Sequence, residues 1–445
     1  MPSSCPELAV ATADVAAHSK PWRLPAAVGF PLLAAVLFAF FFAAAAPTPL
    51  FVVFQHAWGF SASMLTVAFA IYAIALLISL LVAGSLSDHI GRRPVVLAAL
   101  VLQAVAMGLF VLAEDIAGLI VARIVQGVAT GIASGALSAA VVEAAPASRK
   151  RLGAMITSVS PLAGLAVGAL LTGMAVKFTA QPVMLVFGVL AVVFAVGAAV
   201  VLWMPETVTP RAGALASLVP RVSIPARARA DFVRGLPVFI AVWALGGLYL
   251  SLAPSLMLHV FHIDNGVVNG LTVAVLSGFG ALAPTLLGRF PAPRTVVFGA
   301  ASIAVGLVLL LASLATKSLA LFFVGTAIAG LGFGGAFSAL VQTLAPLADS
   351  HERGELFAAI FVVCYLAFSL PAMLAGFLVK PLGLLNTVEG YAAVLLLIAA
   401  FGIWRQWAAL RSNARRPVGQ RVAPRAESIA RAASAKPTPR SPAVT

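Results

Sequence analysis

The segment GSLSDHIGRRP, residues 84–94, gathers acidic and basic side chains in a chain whose charged residues make up only 9% of the sequence. Asp88 stands four residues before Arg92, a spacing at which the two side chains form an ion pair if the segment is helical. Gly91 can take the positive φ that a tight turn requires, and Gly84 permits the close approach of a second helix. The carboxylate can also bind the positive N-terminal end of a neighbouring helix. The segment therefore predicts a compact charge cluster.

The elements that must position this cluster are membrane-spanning helices. The 445 residues are 62% hydrophobic and have a mean hydropathy of +1.08, whereas soluble domains are about half apolar. Runs of about 20 apolar residues cross the hydrocarbon of a bilayer, and they must be helical because no water there satisfies the backbone. Twelve such runs are predicted, at residues 26–54, 63–83, 94–113, 118–141, 152–176, 183–203, 236–258, 267–288, 294–315, 318–345, 356–379 and 388–407.

The polar segments divide the chain into five parts. They are an N-terminal tail (1–25), a first six-helix half (26–203), a linker rich in Pro and Arg (204–235), a second six-helix half (236–407) and a basic tail of disordered composition (408–445). RIVQGVATGIASGAL at 123–137 aligns with TAIAGLGFGGAFSAL at 326–340, which pairs Gly127 with Gly330 and Gly131 with Gly334. This repeat predicts two halves related by a pseudo-two-fold axis, with a site between them near the midplane.

The net charge of +14 comes from basic residues on one predicted side of the membrane. The opposite loops carry only Lys177, Lys317 and Lys380. This positive-inside pattern predicts that both termini are cytoplasmic, and it accounts for the charge without a nucleic-acid partner. The preference for Arg over Lys suggests a GC-rich genome and a bacterial inner membrane. The first run could instead be a signal peptide, but its length to Phe54 favours an uncleaved helix.

The fourth run contains Arg123, the one basic residue placed inside a predicted span. A central charge costs about 2.5–3.5 kcal/mol on the insertion scale, so it usually has a function. Arg123 is therefore a candidate functional residue, and Gln126 follows it three residues later in the same run. The alternative is that Arg123 lies near the outer end of its helix and extends to the interface. Gly127, Gly131 and Gly135 share one helix face and predict close helix packing.

At these motifs the sequence resembles the major facilitator superfamily. The signature of its loop between helices two and three is matched by Gly84, Leu86, Asp88, Gly91, Arg92 and Arg93, and the resemblance covers about residues 25–407. It implies an all-α polytopic membrane protein with twelve transmembrane helices in two halves that works by alternating access. It also implies that Asp88 contacts the start of helix eleven near Glu355, and that Arg92 and Glu143 complete a gate on the cytoplasmic side. Arg123, Gln126 and Gly127 are similar to the Arg-x-x-Gln-Gly pattern of helix four in this superfamily, which implies a role in substrate binding or proton coupling. The alternative is that these charges only fix topology.

The fifth run, SVSPLAGLAVG, is similar to the Gly-Pro-x-x-Gly-Gly motif of drug:proton antiporters in this superfamily. Pro161 and Gly164 match, whereas Ser160 and Leu165 replace two glycines; Gly168 extends the small face. The resemblance implies a monomeric secondary transporter that exports a small organic solute in exchange for protons. An uptake permease and a membrane sensor that binds without transport are the alternatives.

The predicted spans contain no carboxylate at mid-membrane, so proton coupling would use a boundary group such as Glu143 or Asp264, a histidine such as His56, or a partner of Arg123. A uniporter or an exchanger is the alternative. Further candidates for the solute cavity are Tyr72, Trp243, Tyr249, Asn269, Gln342 and Tyr365. Arg123 favours neutral or anionic cargo. The sequence lacks an ATP phosphate loop, a His-Glu-x-x-His zinc motif and a nucleophile elbow. We therefore expect no enzyme activity, cofactor or metal, and only lipid as a further partner.

Overall fold

The computed structural model of the protein describes residues 26–415, except 147 and 149. The predicted N-terminal tail (1–25) and the part of the basic tail beyond Arg415 lie outside the described residues. Within them, twelve helices are long and apolar enough to cross a membrane, which confirms the predicted fold class.

The helices are numbered α1–α12 in chain order. They are α1 (Ala26–Ala45, continuing as Pro47–Trp58), α2 (Ala62–Ala83), α3 (Arg92–Leu112), α4 (Ile116–Ala144), α5 (Lys150–Phe178), α6 (Pro182–Leu202), α7 (Ala226–His259), α8 (Gly266–Leu287), α9 (Ala292–Thr316), α10 (Leu319–Leu344), α11 (Arg353–Leu382) and α12 (Leu384–Arg415). Because their number is even, both described ends lie on one side. We call this side, which also carries the segment between α6 and α7, the linker side, and the opposite side the far side.

Most helices extend a few residues beyond the predicted apolar runs, and two of them extend by more than two turns. α7 begins at Ala226 instead of residue 236, directly after Pro225, so the linker is shorter than predicted and contains one short helix, Ala214–Ser217. The extra turns, ARARADFVRG, are polar, but Ala and Arg are strong helix formers. α12 likewise continues past residue 407 to Arg415. Hydropathy marks where a helix meets lipid, not where its hydrogen bonding ends.

The helix pairs of the first half recur in the second. α2 packs on α4, α3 on both α4 and α6, and α1 on α5; six helices later, α8 packs on α10, α9 on both α10 and α12, and α7 on α11. The aligned glycines belong to this repeat, because Gly127 and Gly131 lie against the backbone of α2 while Gly330 and Gly334 lie against that of α8. The two halves therefore share one internal arrangement.

One of the two main contacts between the halves is made by α5 and α8. Gly173 lies against Gly266, and Gly270 lies against Ala169, so that backbone meets backbone without intervening side chains. A side chain at any of these glycines would overlap the facing helix. All four residues belong to the far-side parts of their helices, so this contact closes the far side.

The other main contact is made by α2 and α11. The Ser63 hydroxyl donates a hydrogen bond of 3.0 Å to the Gly376 carbonyl. One and a half turns further along α2, the rings of Phe69 and Phe368 are 4.8 Å apart. These residues lie between the far side and the middle of the membrane. Together the two helix pairs describe a conformation in which the far side is closed.

Candidate functional site

The segment between α2 and α3 forms the predicted charge cluster on the linker side. Residues Ser87–Ile90 make one helical turn, and this brings Asp88 within 2.5 Å of the Arg92 guanidinium. The same guanidinium lies 3.2 Å from Glu143 at the end of α4 and donates to the Ser87 hydroxyl at 2.6 Å. Gly91 has a φ of 105°, the positive value expected for this turn. Arg92 is thus the centre of the cluster.

Glu206, in the first residues of the linker, is a member of this cluster that sequence reasoning missed. Its carboxylate accepts hydrogen bonds from the backbone N–H groups of Arg92 at 2.8 Å and Arg93 at 3.0 Å. It therefore places a negative charge at the N-terminal end of α3, where the helix dipole favours one. The neighbouring Thr207 hydroxyl donates to Glu143 at 2.7 Å. The available signal was that Glu206 directly follows α6 and so must lie on the same side as the start of α3.

The linker continues across the segment between α2 and α3. The Arg211 N–H donates to the His89 carbonyl at 2.8 Å, and the Ser85 hydroxyl donates to the Ser217 carbonyl at 3.0 Å. The Arg93 guanidinium donates to the Leu202 carbonyl at the end of α6. The charge cluster is therefore bound to α4 and α6 of the first half and to the linker that follows them.

The expected contact of Asp88 with the start of α11 near Glu355 does not occur in this conformation. The four ion pairs among the described residues join Arg92 to Asp88 and to Glu143, Arg227 to Asp349, and Arg234 to Asp231. Each pair lies within one half. The physical reason is that the halves meet on the far side, so Asp88 is satisfied by its own helix-turn neighbour.

Arg123 is fully enclosed in the first half, with a relative exposure of 1%. Its Nε donates to the Ala68 carbonyl at 3.3 Å and its Nη1 to the Gln126 side chain at 2.9 Å. The guanidinium carbon lies 4.7 Å from the centroid of the Tyr72 ring and 5.4 Å from that of Phe51. The side chain therefore does not extend to the membrane–water boundary, although Arg123 lies only about 10 Å along α4 from the far-side end of that helix.

The charge of Arg123 is balanced without an acid. Its neighbours are two aromatic faces, an amide and a backbone carbonyl, and cation–π contacts of this kind are worth about 2 kcal/mol or more when they are desolvated. Gln126 is itself held by a bond of 2.8 Å from its Nε2 to the Ala43 carbonyl of α1. An anionic group that entered this place would meet a guanidinium held in a fixed position.

Tyr72 connects Arg123 to an aromatic cluster between the halves. Tyr365 and Phe368 of α11 pack against the buried cluster of Ala44, Tyr72, Ala73 and Leu76. Trp243 of α7 meets these same two rings, at centroid distances of 4.9 Å and 5.9 Å. Three of the predicted cavity residues, Tyr72, Trp243 and Tyr365, are therefore brought together at the interface, with Arg123 and Gln126 directly behind them.

Three further candidates lie apart from this cluster. The Tyr249 hydroxyl forms a buried hydrogen bond of 2.9 Å with Thr326, the residue that aligns with Arg123 in the repeat. Gln342 is near the linker-side end of α10, where its amide donates to Ser338 one turn earlier. Asn269 is 2% exposed near the far-side start of α8, and its Oδ1 lacks a hydrogen-bond partner.

Asn269 lines a cavity of about 460 Å³ at the far-side junction of the halves. His56 from α1 and Asp264 from the loop before α8 share its wall. Two of the groups predicted as carriers of a proton therefore face one space, one from each half. Glu143, the remaining predicted carrier, belongs to the charge cluster on the linker side.

The small residues of α4 and α5 set the distances between helices. A Cβ at Gly127 would lie 2.5 Å from the Tyr72 carbonyl, and one at Gly131 would lie 2.5 Å from that of Leu76. Gly135 lies opposite the Gly84 carbonyl. On α5, Gly164 and Gly168 make equally close contacts with α1, and Pro161 lies within the continuous helix. These contacts fix α2 and α1 around Arg123.

The fold and this interface define a class of protein: a multi-pass membrane protein of two similar six-helix halves that enclose polar and aromatic groups. Among the described residues, no group of three His, Cys, Asp or Glu side chains could hold a metal ion. The sequence model of the Major Facilitator Superfamily matches residues 33–372. The chain belongs to this superfamily, as its motifs predicted, and it is a secondary transporter of a small solute. No curated protein matches the chain.

Solved transporters share the fold at low sequence identity. The human organic anion transporter MFSD10 (TETRAN) is 15% identical and superposes with a TM-score of 0.62 over 85% of this chain and 100% of its own. A POT family transporter bound to a thioalcohol-conjugated peptide is 15% identical, with a TM-score of 0.68 over 84% and 95% of the two chains. The xylose transporter XylE from E. coli, in an inward-open conformation, is 15% identical and superposes with a TM-score of 0.67 over 85% of this chain and 96% of its own. These likenesses support the fold alone.

Proposed function

We propose that the protein exports a small neutral or anionic organic solute in exchange for protons. The observation that carries this proposal is the enclosed guanidinium of Arg123, which has aromatic and neutral polar neighbours and no carboxylate in the described ion pairs. A carboxylate about 4 Å from it gains about 4 kcal/mol at an effective dielectric constant of 20. An ammonium group is repelled by the same amount.

Alternating access gives this charge a role in transport. In the described conformation the ring of Tyr72 lies against Arg123, and Tyr365 and Phe368 of α11 pack on the cluster that contains Tyr72. Separation of α2 from α11 on the far side uncovers Tyr72 and then Arg123. The accessibility of the guanidinium therefore differs between the two states, and a solute that contacts it shifts the equilibrium between them by its difference in affinity.

Proton coupling in this proposal uses groups at the ends of the helices. The described carboxylates lie in loops or near helix ends, and Asp264 and His56 face the same far-side cavity. They come from different halves, so their separation changes as the halves move. Glu143 is the corresponding group on the linker side, where it is already bound to Arg92.

The orientation follows from charge. Lys177, Lys317 and Lys380 lie on the far side, and the many arginines lie on the linker side, so we assign the linker side to the cytoplasm. Both termini are then cytoplasmic, and the described conformation is inward-facing in a bacterial inner membrane. The protein works as a monomer, because a single chain supplies both halves of the interface.

The test is transport in proteoliposomes with an imposed pH gradient and a panel of neutral, anionic and cationic solutes. We expect gradient-driven flux of a neutral or anionic solute that is lost in Arg123→Ala and strongly reduced in Asp88→Asn. Arg289→Gln is the matched control: it removes an arginine of the α8–α9 loop that contacts only the ring of Phe290 among the recorded cation–π pairs.

The outcomes separate the alternatives. Proton movement opposite to the solute supports exchange and export, whereas movement in the same direction assigns an uptake permease. Solute binding without flux in any condition assigns a sensor. Equal flux of cationic and anionic solutes contradicts the role of Arg123.

A further inference from the structure

The outer surface of the second half carries an apolar groove between α7 and α12. Its volume is about 370 Å³, and it is lined by Leu236, Pro237, Ile240, Leu397, Ile398 and Phe401. The two helices are held together beside it, where Gly402 lies against Val238 and the Tyr391 hydroxyl donates to the Ala244 carbonyl at 2.9 Å. Leu397 is 71% exposed, so the groove opens toward the surroundings of the protein.

The groove lies in the linker-side leaflet of the membrane. On α7 it begins at Leu236, directly after Arg234, the last charged residue before the apolar run. On α12 it ends at Phe401, one turn before Arg405, and the rise from Leu397 to Arg405 is about 12 Å. Its linker-side end therefore coincides with the boundary between hydrocarbon and headgroups.

Two arginines stand at this boundary. The Arg405 guanidinium lies 5.9 Å from the centroid of the Phe401 ring and donates to the Val233 carbonyl at 3.0 Å. Arg229 is exposed and shares a helix face with Val233, Leu236 and Ile240, because these residues follow at intervals of four, three and four. Neither arginine takes part in the four ion pairs of the described residues.

We propose that this groove binds one anionic phospholipid. Its acyl chain lies along the apolar lining, and its phosphate accepts hydrogen bonds from Arg405 and Arg229. Arginine suits this role because its planar guanidinium binds a phosphate through two parallel N–H groups. Trp404, 60% exposed beside Arg405, belongs to the residue type that favours the headgroup level.

The charges favour a lipid over a second copy of the chain. A two-fold contact through the groove would bring the arginines of one copy close to those of the other, which is repulsive. The acid in this part of α7 does not neutralise them, because Asp231 is bound to Arg234. An anionic lipid instead supplies both an apolar chain and the opposite charge.

Native mass spectrometry of the purified full-length chain tests this proposal. Dioleoyl phosphatidylglycerol and dioleoyl phosphatidylcholine are added at equal concentration, and the fraction of protein that retains one lipid is measured. We expect at least a fivefold preference for phosphatidylglycerol. Removing both arginines in Arg229→Gln/Arg405→Gln should abolish the preference, because each is worth roughly fivefold. Ile240→Trp, which fills the groove, should lower retention of both lipids.

Two variants serve as matched controls. Arg411→Gln removes an arginine of the same helix that stacks on Trp407 at 3.3 Å, and Val305→Trp places an indole on the outer surface of α9, where Val305 is 49% exposed. Both should retain phosphatidylglycerol like the wild type. Arg405→Lys keeps the charge and should retain most of the preference, which separates loss of binding from loss of folding.

Several results overturn the proposal. They are equal retention of the two lipids by the wild type, unchanged retention in the double arginine variant, and unchanged retention in Ile240→Trp. Displacement of the lipid by excess inorganic phosphate would assign a site for the phosphate group alone. A dimer that Ile240→Trp dissociates would assign the groove to a second copy.

Discussion

Arg123 of α4 and Tyr72 of α2 lie face to face, with the guanidinium carbon 4.7 Å from the centroid of the ring. Tyr72 also belongs to the buried cluster against which Tyr365 and Phe368 of the other half pack. The buried charge is therefore one side chain away from the surface along which the halves separate. Gly127 and Gly131 make this arrangement possible, because any side chain on them would push α2 away from α4.

Arg123→Lys should lower the rate of transport at least tenfold although it keeps the charge. The planar guanidinium stacks on Tyr72 while its N–H groups donate to Gln126 and to the Ala68 carbonyl. The compact ammonium group of lysine cannot make these three contacts at once. The measurement is the initial rate of uptake into proteoliposomes for the best anionic solute of the panel. Tyr72→Phe keeps the aromatic face and should retain most of the rate. A wild-type rate for the lysine variant would show that charge alone is sufficient.

Gly173→Leu should prevent closure of the far side. The backbone of Gly266 lies against Gly173, so a leucine there forces α5 and α8 apart. The readout is labelling of a cysteine at Val176, which lines the far-side cavity, by a membrane-impermeant maleimide in a background without the native cysteines. Labelling should become severalfold faster.

The matched control is Gly188→Leu, since nothing lies within 4 Å of a Cβ at Gly188. It makes the same substitution on α6 and should leave labelling unchanged. Equal labelling of Gly173→Leu and the unsubstituted protein would mean that the contact between α5 and α8 does not control access from the far side.

The sequence was sufficient for the twelve spans because lipid selects long apolar runs. It was also sufficient for the ion pair of Asp88 with Arg92 and for the turn at Gly91, which lie within five residues of one another. The contact of Arg92 with Glu143, 51 residues away, was expected only from the family resemblance. The sequence failed where a partner is distant in the chain and no motif includes it. Glu206 is more than a hundred residues from the backbone groups that it binds, and no local pattern marks it.

The candidate cavity shows the same limit. In the sequence, Tyr72, Trp243 and Tyr365 stand out only as polar or aromatic residues in spans, and the packing of α2, α7 and α11 brings them together. Gln342 has the same signal in the sequence but lies near the linker-side end of α10. The sequence also could not predict which side of the protein is open, because the same apolar runs span the membrane in both conformations. The contact of Asp88 with α11 was therefore predicted for a state that this structure does not adopt.

Glu206→Gln should destabilise the protein by about 1 kcal/mol, because the first N–H groups of α3 lose a charged acceptor at the positive end of the helix dipole. The measurement is the free energy of unfolding, or the shift in Tm, of purified protein. Glu389→Gln is the control, since Glu389 makes no side-chain hydrogen bond or ion pair among the described residues. An equal effect of the two substitutions would mean that Glu206 contributes no more than a surface carboxylate.

Asp88→Asn should separate a gate from a fixed topology signal. Asp88 is 56% exposed in its pair with Arg92, so its loss should cost less than about 1 kcal/mol of stability. A gate residue should nevertheless lower flux at least tenfold, because Glu143 is then the one carboxylate paired with the Arg92 guanidinium. Asp349→Asn removes a carboxylate of similar exposure, 55%, from a linker-side pair in the other half, and it should leave flux within about twofold of wild type. If both variants reduce flux equally, and only as far as they reduce expression, Asp88 serves topology and the charge cluster is not the gate.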